Sequence, residues 1–376
     1  MEILLVEVQA LLFEKKKDMI ALLTRDHAEK CLSLMKRRAE GSAPVYSETF
    51  LDLGRTGVIC VKGCHRDAQD MVLRQAGWCV ADHCETTEAT LYFWEERDFR
   101  DFHKTVLGLG FELDENDDYL LLAYKDEDGR MTVFAEFEYA GGAIKAWSGK
   151  EHYFGAEKMD PESLLRSGHL FVKSLYRILD TPSSAMVHSA CVGLDGKGIL
   201  LCARGGKGKS TLAVSSLLKG FEFVSDDYTI LEQDDEGLTA SPLYSIITLS
   251  PEMYNLMYEE FAPARFVADN ARKNKYVFEM SAWKDQVRKR LPLKACLFPE
   301  IVPDSQCGVF PCSPSEKGRA ITSLVHSTQM QMLDQGNPSN SRKIIRMLQR
   351  LDFYKIRLSP DIFGNVECLR DFIIGL

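Results

Sequence analysis

The segment Ala203-Arg204-Gly205-Gly206-Lys207-Gly208-Lys209-Ser210 lies between an apolar run and a run of helix-forming residues. Few folds accommodate it. Glycines this dense destabilise a helix or strand interior, so the segment must be a loop. Without side chains, Gly205, Gly206 and Gly208 let backbone N–H groups turn towards one point and approach an anion closely. Residues Lys209 to Lys219 read as a helix whose N-terminal end adds partial positive charge at the same point. The arrangement follows the pattern G-x-x-x-x-G-K-[ST], with the small Ala203 where the first glycine belongs. In that pattern Lys209 reaches the β- and γ-phosphates of a nucleotide and the Ser210 hydroxyl ligates Mg²⁺. Gly205, Gly206, Lys207, Gly208, Lys209, Ser210 and Thr211 are therefore the expected ATP-binding residues.

The flanks narrow this further. Met186 to Leu194 and Gly198 to Cys202 are apolar runs joined by Asp195-Gly196-Lys197. An Asp-Gly pair between apolar runs predicts a β-hairpin. The strand entering the loop is then antiparallel to the one before it, whereas the commoner phosphate-loop folds enter from a parallel sheet. Beyond the helix, Phe221 to Ser225 reads as a buried strand that ends in Asp226 and Asp227. Two carboxylates beside a phosphate loop suit a division of labour, one holding Mg²⁺ and the other accepting the proton of an attacking hydroxyl.

Taken in order, the hairpin, the loop ending Gly-Lys-Ser, the helix and the strand ending Asp-Asp resemble the catalytic core of the HPr kinase/phosphorylase family. That family is related in fold to phosphoenolpyruvate carboxykinase. The close resemblance covers His188 to Glu232. It implies that His188, on the strand before the loop, assists the acidic pair. It also implies that Asp226 is the metal ligand and Asp227 the base, two roles that can be exchanged. Lys209 completes the catalytic set. The resemblance fades after the Asp pair, where residues 233 to 262 lack the Arg-Gly signature of HPr kinase. The chain looks closer to HPr-kinase-like proteins acting on peptides or free amino acids. In such proteins a basic residue near Arg272-Lys273-Asn274-Lys275 meets phosphate, and Lys275 is the residue expected to do so here.

The remainder is globular in texture. At 376 residues, 45% hydrophobic and 27% charged, the chain is long enough for more than one domain. A net charge of −9 excludes a nucleic-acid-wrapping role, which needs clustered Lys and Arg. No apolar run approaches the length that spans a bilayer. The start of the chain has no basic segment ahead of an apolar one, and the 11 cysteines are scattered, so a reducing cytoplasm is expected. The group Cys60, Cys64, His65, Cys79, His83 and Cys84 lacks zinc-knuckle spacing and reads as ordinary cysteines.

Residues 4 to 38 read as a long amphipathic helix. Strands are expected at Val58–Val61, Thr90–Trp94, Tyr119–Tyr124 and Met131–Phe137. Helices are expected near Arg66–Ala76 and Asp98–Leu107, with a hairpin turn at Asp126–Gly129 and a turn at Gly141-Gly142. The helix predicted over 160 to 179 carries His169 at the edge of a packed face. In the tail, Leu291–Phe298 reads as a core strand, followed by helices at Ser315–Asp334 and Arg342–Leu351. A loop at Asn337–Ser341, a strand at Phe353–Leu358 and a helix at Asp361–Phe372 complete it.

The fold class expected is α/β (α+β). An HPr-kinase/phosphoenolpyruvate-carboxykinase-like domain over 151 to 376 follows a smaller α+β domain over 1 to 150 with a largely antiparallel sheet and a substrate or regulatory role. The function expected is an ATP-dependent, Mg²⁺-requiring kinase acting on a serine of a peptide or protein. The rivals are a small-molecule alcohol or amino-acid kinase, a nucleotide-sensing module without turnover, and carboxykinase-type metabolism of a small acid. No membrane partner is expected, and homo-oligomerisation is left open.

Overall fold

The computed structural model describes residues 18–41, 47–63, 67–96, 99, 119–125, 127, 129, 131–139, 142–157, 164, 169–203, 205–261, 265–270, 274–302, 306–332 and 338–376. These fall into two units. One holds the residues up to Leu51, Val58–Val72, and those from Ala81 to Leu164. The other holds Asp52–Gly57, Leu73–Val80 and everything from His169. The division thus comes after 150. The strand Glu151–Ala156 pairs with Ala143–Ser148 and Ala89–Glu95 in the first unit's sheet.

The strands of that sheet are β1 (Asp18–Leu23), β2 (Ser47–Asp52), β3 (Val58–Gly63), β4 (Val80–Ala81), β5 (Ala89–Glu95), β6 (Tyr119–Lys125), β7 (Met131–Glu138), β8 (Ala143–Ser148) and β9 (Glu151–Ala156). Their order is β1-β6-β7-β8-β9-β5-β3-β2-β4. β6 to β9 form an antiparallel meander, of which β8 and β9 were not expected, and β1–β6, β3–β5 and β5–β9 pair in parallel, so the sheet is mixed and not largely antiparallel. Helices α1 (Arg25–Gly41) and α2 (Ala68–Ala76) belong to the same stretch of chain.

β1 overturns part of the long N-terminal helix. Ile20 to Leu23 are consecutive apolar residues, which a helix and a buried strand use equally well, and here pairing with the apolar β6 decides for the strand. Thr24 then breaks the strand and caps α1, its Oγ1 accepting from the His27 N–H at 3.3 Å. The rest of that helix (4 to 17), the Asp98–Leu107 helix apart from Phe99, half of the Asp126–Gly129 turn, Gly141, Cys64 and His65 lie outside the described residues.

In the second unit β10 (Ser184–Val187), β11 (Ala190–Leu194), β12 (Lys197–Leu201), β13 (Glu222–Ser225), β14 (Thr229–Gln233), β15 (Leu238–Pro242) and β19 (Leu291–Ile301) share a sheet. The order is β10-β14-β15-β19-β12-β11-β13, with β21 (Asp352–Leu358) on β19 and β20 (Gly308–Pro311) on β21. A small sheet has the order β16 (Ile246–Leu249), β18 (Lys275–Glu279), β17 (Arg265–Asn270). The helices are α3 (Val172–Ile178), α4 (Lys209–Leu218), α5 (Pro251–Leu256), α6 (Tyr258–Phe261), α7 (Pro314–Met332), α8 (Pro338–Gln349) and α9 (Ile362–Ile374).

The hairpin ahead of the loop is as expected. β11 and β12 are antiparallel, and Leu194 faces Lys197 across Asp195 (φ 50°) and Gly196 (φ 75°). Two successive left-handed residues make the turn whose twist matches that of the strands. On its other side β12 runs parallel to β19. One face of this sheet is covered by the apolar side of α4 (Leu212, Ala213, Leu217) and by Val366, Leu369 and Ile373 of α9. The other face is covered by Ile321 and Leu324 of α7 and Ile344 and Leu348 of α8. The helix that follows the glycine-rich loop is thus anchored in the core, which holds its N-terminus near the end of β12.

Some elements differ from expectation. The apolar run 186 to 194 breaks at His188-Ser189, because β10 pairs with β14 while β11 pairs with β12 and β13. Within the helix expected over 160 to 179, α3 starts at Val172, after Phe171 in the left-handed region (φ 59°). Residues 160 to 163 lie outside the described residues. Pro338 to Ser341, expected as loop, are the first turn of α8, with Pro338 at the position where a missing N–H costs nothing. Among the described residues no helix is long and apolar enough to cross a membrane.

Candidate active site

The glycine loop takes the form its composition demands. Gly206 (φ 77°) and Gly208 (φ 89°) are left-handed, and Gly208 is the N-cap of α4, its carbonyl accepting from Leu212 N–H at 2.9 Å. No side chain caps this helix. Gly205, Gly206 and Lys207 are exposed, and Ser210 and Thr211 are half-buried in the first turn. Arg204 lies outside the described residues. A Cβ on Gly208 would stand 2.6 Å from Leu358 Cδ1 as well as straining the backbone. Gly208→Ala is therefore expected to cost about 1–2 kcal/mol of stability and to weaken nucleotide binding. Denaturant titration and nucleotide titration of the same variant check both.

Lys209 does not project into the loop. It is buried, and its Nζ donates to Asp226 Oδ1 at 3.4 Å and to Asp227 Oδ1 at 3.1 Å. The end of β13 and the start of α4 are thereby joined by one ammonium between two carboxylates. Burial opposes its charge, but the two carboxylates prevail and hold it protonated.

The two aspartates differ. Asp227 sits in the left-handed region (φ 67°), and the Tyr228 N–H donates to the Asp226 carbonyl at 2.9 Å across it. Strain of this kind concentrates at functional sites. Thr248 of β16 donates to Asp227 Oδ2 at 3.3 Å, and Lys275, the first residue of β18, donates to Thr248 Oγ1 at 3.1 Å. Burial would raise the Asp227 carboxyl, but Lys209, then Lys275, hold it well below the usual carboxylate range. Asp226 is pushed the other way, because burial outweighs its share of Lys209 and Asp227 adds repulsion. Its Oδ2 is buried with no partner.

His188 reaches this cluster from the break between β10 and β11, not from a strand. Its backbone N–H donates to Thr328 Oγ1 of α7 at 3.0 Å, and its ring meets the Asp227 main chain. Burial, helped by Lys209, takes the imidazole down to about 4, so it is neutral at neutral pH. Nδ1 is buried and unpartnered. Both the charge and the backbone of Asp227 act on this ring, so His188 lies beside the acidic turn.

Two groups were not anticipated here. Thr248 links Lys275 to Asp227, and nothing in Ile246-Ile247-Thr248-Leu249 beyond its apolar alternation hints at it. His169 packs edge-on against Tyr228 (ring centroids 4.9 Å) and tilted against Tyr244 (4.5 Å). The Tyr228 hydroxyl donates to Gln331 Oε1 of α7 at 2.6 Å. Of the expected residues, Lys209, Ser210, Asp226, Asp227, His188 and, through Thr248, Lys275 are linked by these contacts, and Gly205, Gly206, Lys207 and Thr211 adjoin them in the chain.

No protein-family model matches the chain, and no curated protein matches it. Among solved structures, the Hpr(Ser) kinase/phosphatase from Coxiella burnetii is similar over 50% of this chain and 97% of its own, at 13% identity and a TM-score of 0.28.

Proposed function

We propose that the chain is an ATP-dependent, Mg²⁺-requiring kinase that transfers the γ-phosphoryl group to a hydroxyl. The observation that carries this reading is Lys209 bonded to both Asp226 and Asp227, which makes the phosphate loop and the acidic pair one site. Loop N–H groups and the α4 N-terminus would bind the triphosphate. The partnerless Asp226 Oδ2 and the Ser210 hydroxyl that acts on the same carboxyl are hard oxygen donors and fit a divalent cation. Asp226 and Ser210 would hold Mg²⁺, which when bound would supply positive charge against the triphosphate.

The remaining steps belong to side chains. Drawn to the β- and γ-phosphates, Lys209 would leave Asp227 without its strongest cationic neighbour and raise its affinity for a proton. Asp227 would then accept the proton of the acceptor hydroxyl as its oxygen bonds to the γ-phosphorus and the β–γ bridging bond breaks. Catalysis is mainly positioning and charge neutralisation. The acceptor proposed first is a serine of a peptide or protein, with a small-molecule alcohol or amino acid as the alternative.

The test is transfer of radiolabelled γ-phosphate in cell lysate, separated into protein and small-molecule fractions. Label in the protein fraction supports the first acceptor class, label in the small-molecule fraction the second, and label in neither defeats the kinase reading. A nucleotide-sensing module would use the same contact, since a Lys209 drawn from the carboxylates to phosphates would make binding itself a change in the site. Slow ATP consumption that no acceptor stimulates is what that reading expects.

A further inference from the structure

Gln75 is buried, 1% exposed, and lies far in sequence from the phosphate loop. Its Oε1 accepts from the backbone N–H of Leu170 at 2.6 Å. Its own carbonyl accepts from the Ser245 N–H at 2.7 Å. From the other side, the buried Tyr244 hydroxyl donates to the Leu170 carbonyl at 2.7 Å. The Leu170 residue is thus gripped at both its N–H and its C=O by side chains from two distant parts of the chain. It sits between His169 and the left-handed Phe171, and these three described residues belong to no helix or strand.

This clamp acts on one neighbour. With Leu170 fixed, the His169 ring is wedged between Tyr228, next in chain to Asp227, and Tyr244, the other arm of the clamp. Tyr228 is itself tied to α7 through Gln331. A buried amide and two buried tyrosine hydroxyls therefore converge on the placement of a single imidazole. A buried backbone N–H needs some partner, but any loop can supply one locally. Recruiting a long, fully buried side chain from position 75 ties the position of this turn to the small sheet that carries Thr248 and Lys275, because Ser245 immediately precedes β16.

We propose that Gln75 is a positioning residue for the active site, acting through Leu170 to hold His169 against the Asp227-Tyr228 turn. The proposal rests on the kinase reading for its effect on turnover, while the placement of His169 can be observed without turnover. In the full-length protein with ¹⁵N-labelled histidine, Gln75→Met removes the acceptor at nearly constant volume. Tyr244→Phe removes the second grip and keeps the ring, which covers the case in which Gln75→Met does not fold. His169→Gln assigns the ring signals, and Asn365→Ala, which deletes a buried amide at the start of α9, serves as control.

Both clamp variants are expected to move the His169 ring signals while those of His27 on α1 stay in place, and the control is expected to move neither. Label transfer should fall about tenfold in kcat with KM for ATP within about twofold, since the acceptor half of the site is disturbed and the phosphate loop is not. His169 signals unmoved in folded Gln75→Met and Tyr244→Phe overturn the proposal. Equal falls in the control and the clamp variants also overturn it, reducing Gln75 to a stability residue. If the His169 signals move but the wild-type protein transfers no label, the kinase reading fails and the clamp stands.

Discussion

Lys209→Met is expected to abolish phosphoryl transfer and to destabilise the protein by about 3–5 kcal/mol, the range for removing one partner of a buried ion pair. The activity loss alone would be unremarked for a phosphate-loop lysine. The stability loss is particular to this site, where the ammonium is 5% exposed and faces the buried Asp226 and the half-buried Asp227. Its pH dependence has a definite sign. Asp227 is held well below its ordinary value near 3.8, so the folded state binds fewer protons there than the unfolded state does. That stabilisation is complete above the ordinary value and lost as pH falls through the folded one. The variant lacks most of it. The gap in unfolding free energy between the two proteins should be widest near neutral pH and close as pH falls below about 4. Urea titrations across that range measure it, and a gap independent of pH would show that the ion pair is not its source.

Asp227→Asn is expected to lower kcat by about 10²- to 10⁴-fold, the usual contribution of a positioned base. Nucleotide affinity should be unchanged or tighter, because one negative charge near the phosphates is gone and Lys209 is freer to reach them. Asp226→Asn should instead raise the Mg²⁺ concentration needed for half-maximal transfer. The pair of variants separates the two roles. Transfer retained in Asp227→Asn and lost in Asp226→Asn would exchange them, and transfer retained in both would remove the acidic pair from catalysis. Isothermal titration with nucleotide, alongside initial rates over a Mg²⁺ series, supplies both measurements.

Much of the site was legible because it is local. The loop glycines, the Asp-Gly turn and the strand ending in Asp226-Asp227 occupy one continuous stretch, and each residue type suits the backbone it adopts. Gly206, Gly208 and Gly196 take the left-handed region, and Asp195, a residue type that tolerates it, does so too. Lys275 was legible only as a basic residue entering a strand. Its link to Asp227 runs through Thr248, which arrives by the pairing of β16 with β18. His169 read as a helix-face residue because the run from Leu164 to Leu179 has helical spacing. The left-handed Phe171 interrupts that spacing ahead of Val172, and Gln75 and Tyr244 hold Leu170 beside it. In the first unit, β1 was hidden for a related reason, since an apolar run at the edge of a helix-like stretch has no period of its own.

By itself the sequence determined the hairpin, the glycine-rich loop and the presence of two carboxylates at the end of the next strand. These follow from backbone preferences and spacing over a few residues. Only the tertiary structure decided where Lys209 points, which carboxylate is held ionised, and that His188 meets the backbone of the acidic turn. The physical reason is burial. Once the end of β13 is packed beside the first turn of α4, the ammonium and the carboxylates are out of water and must satisfy one another. No spacing along the chain specifies how such a set of buried charges will divide its partners.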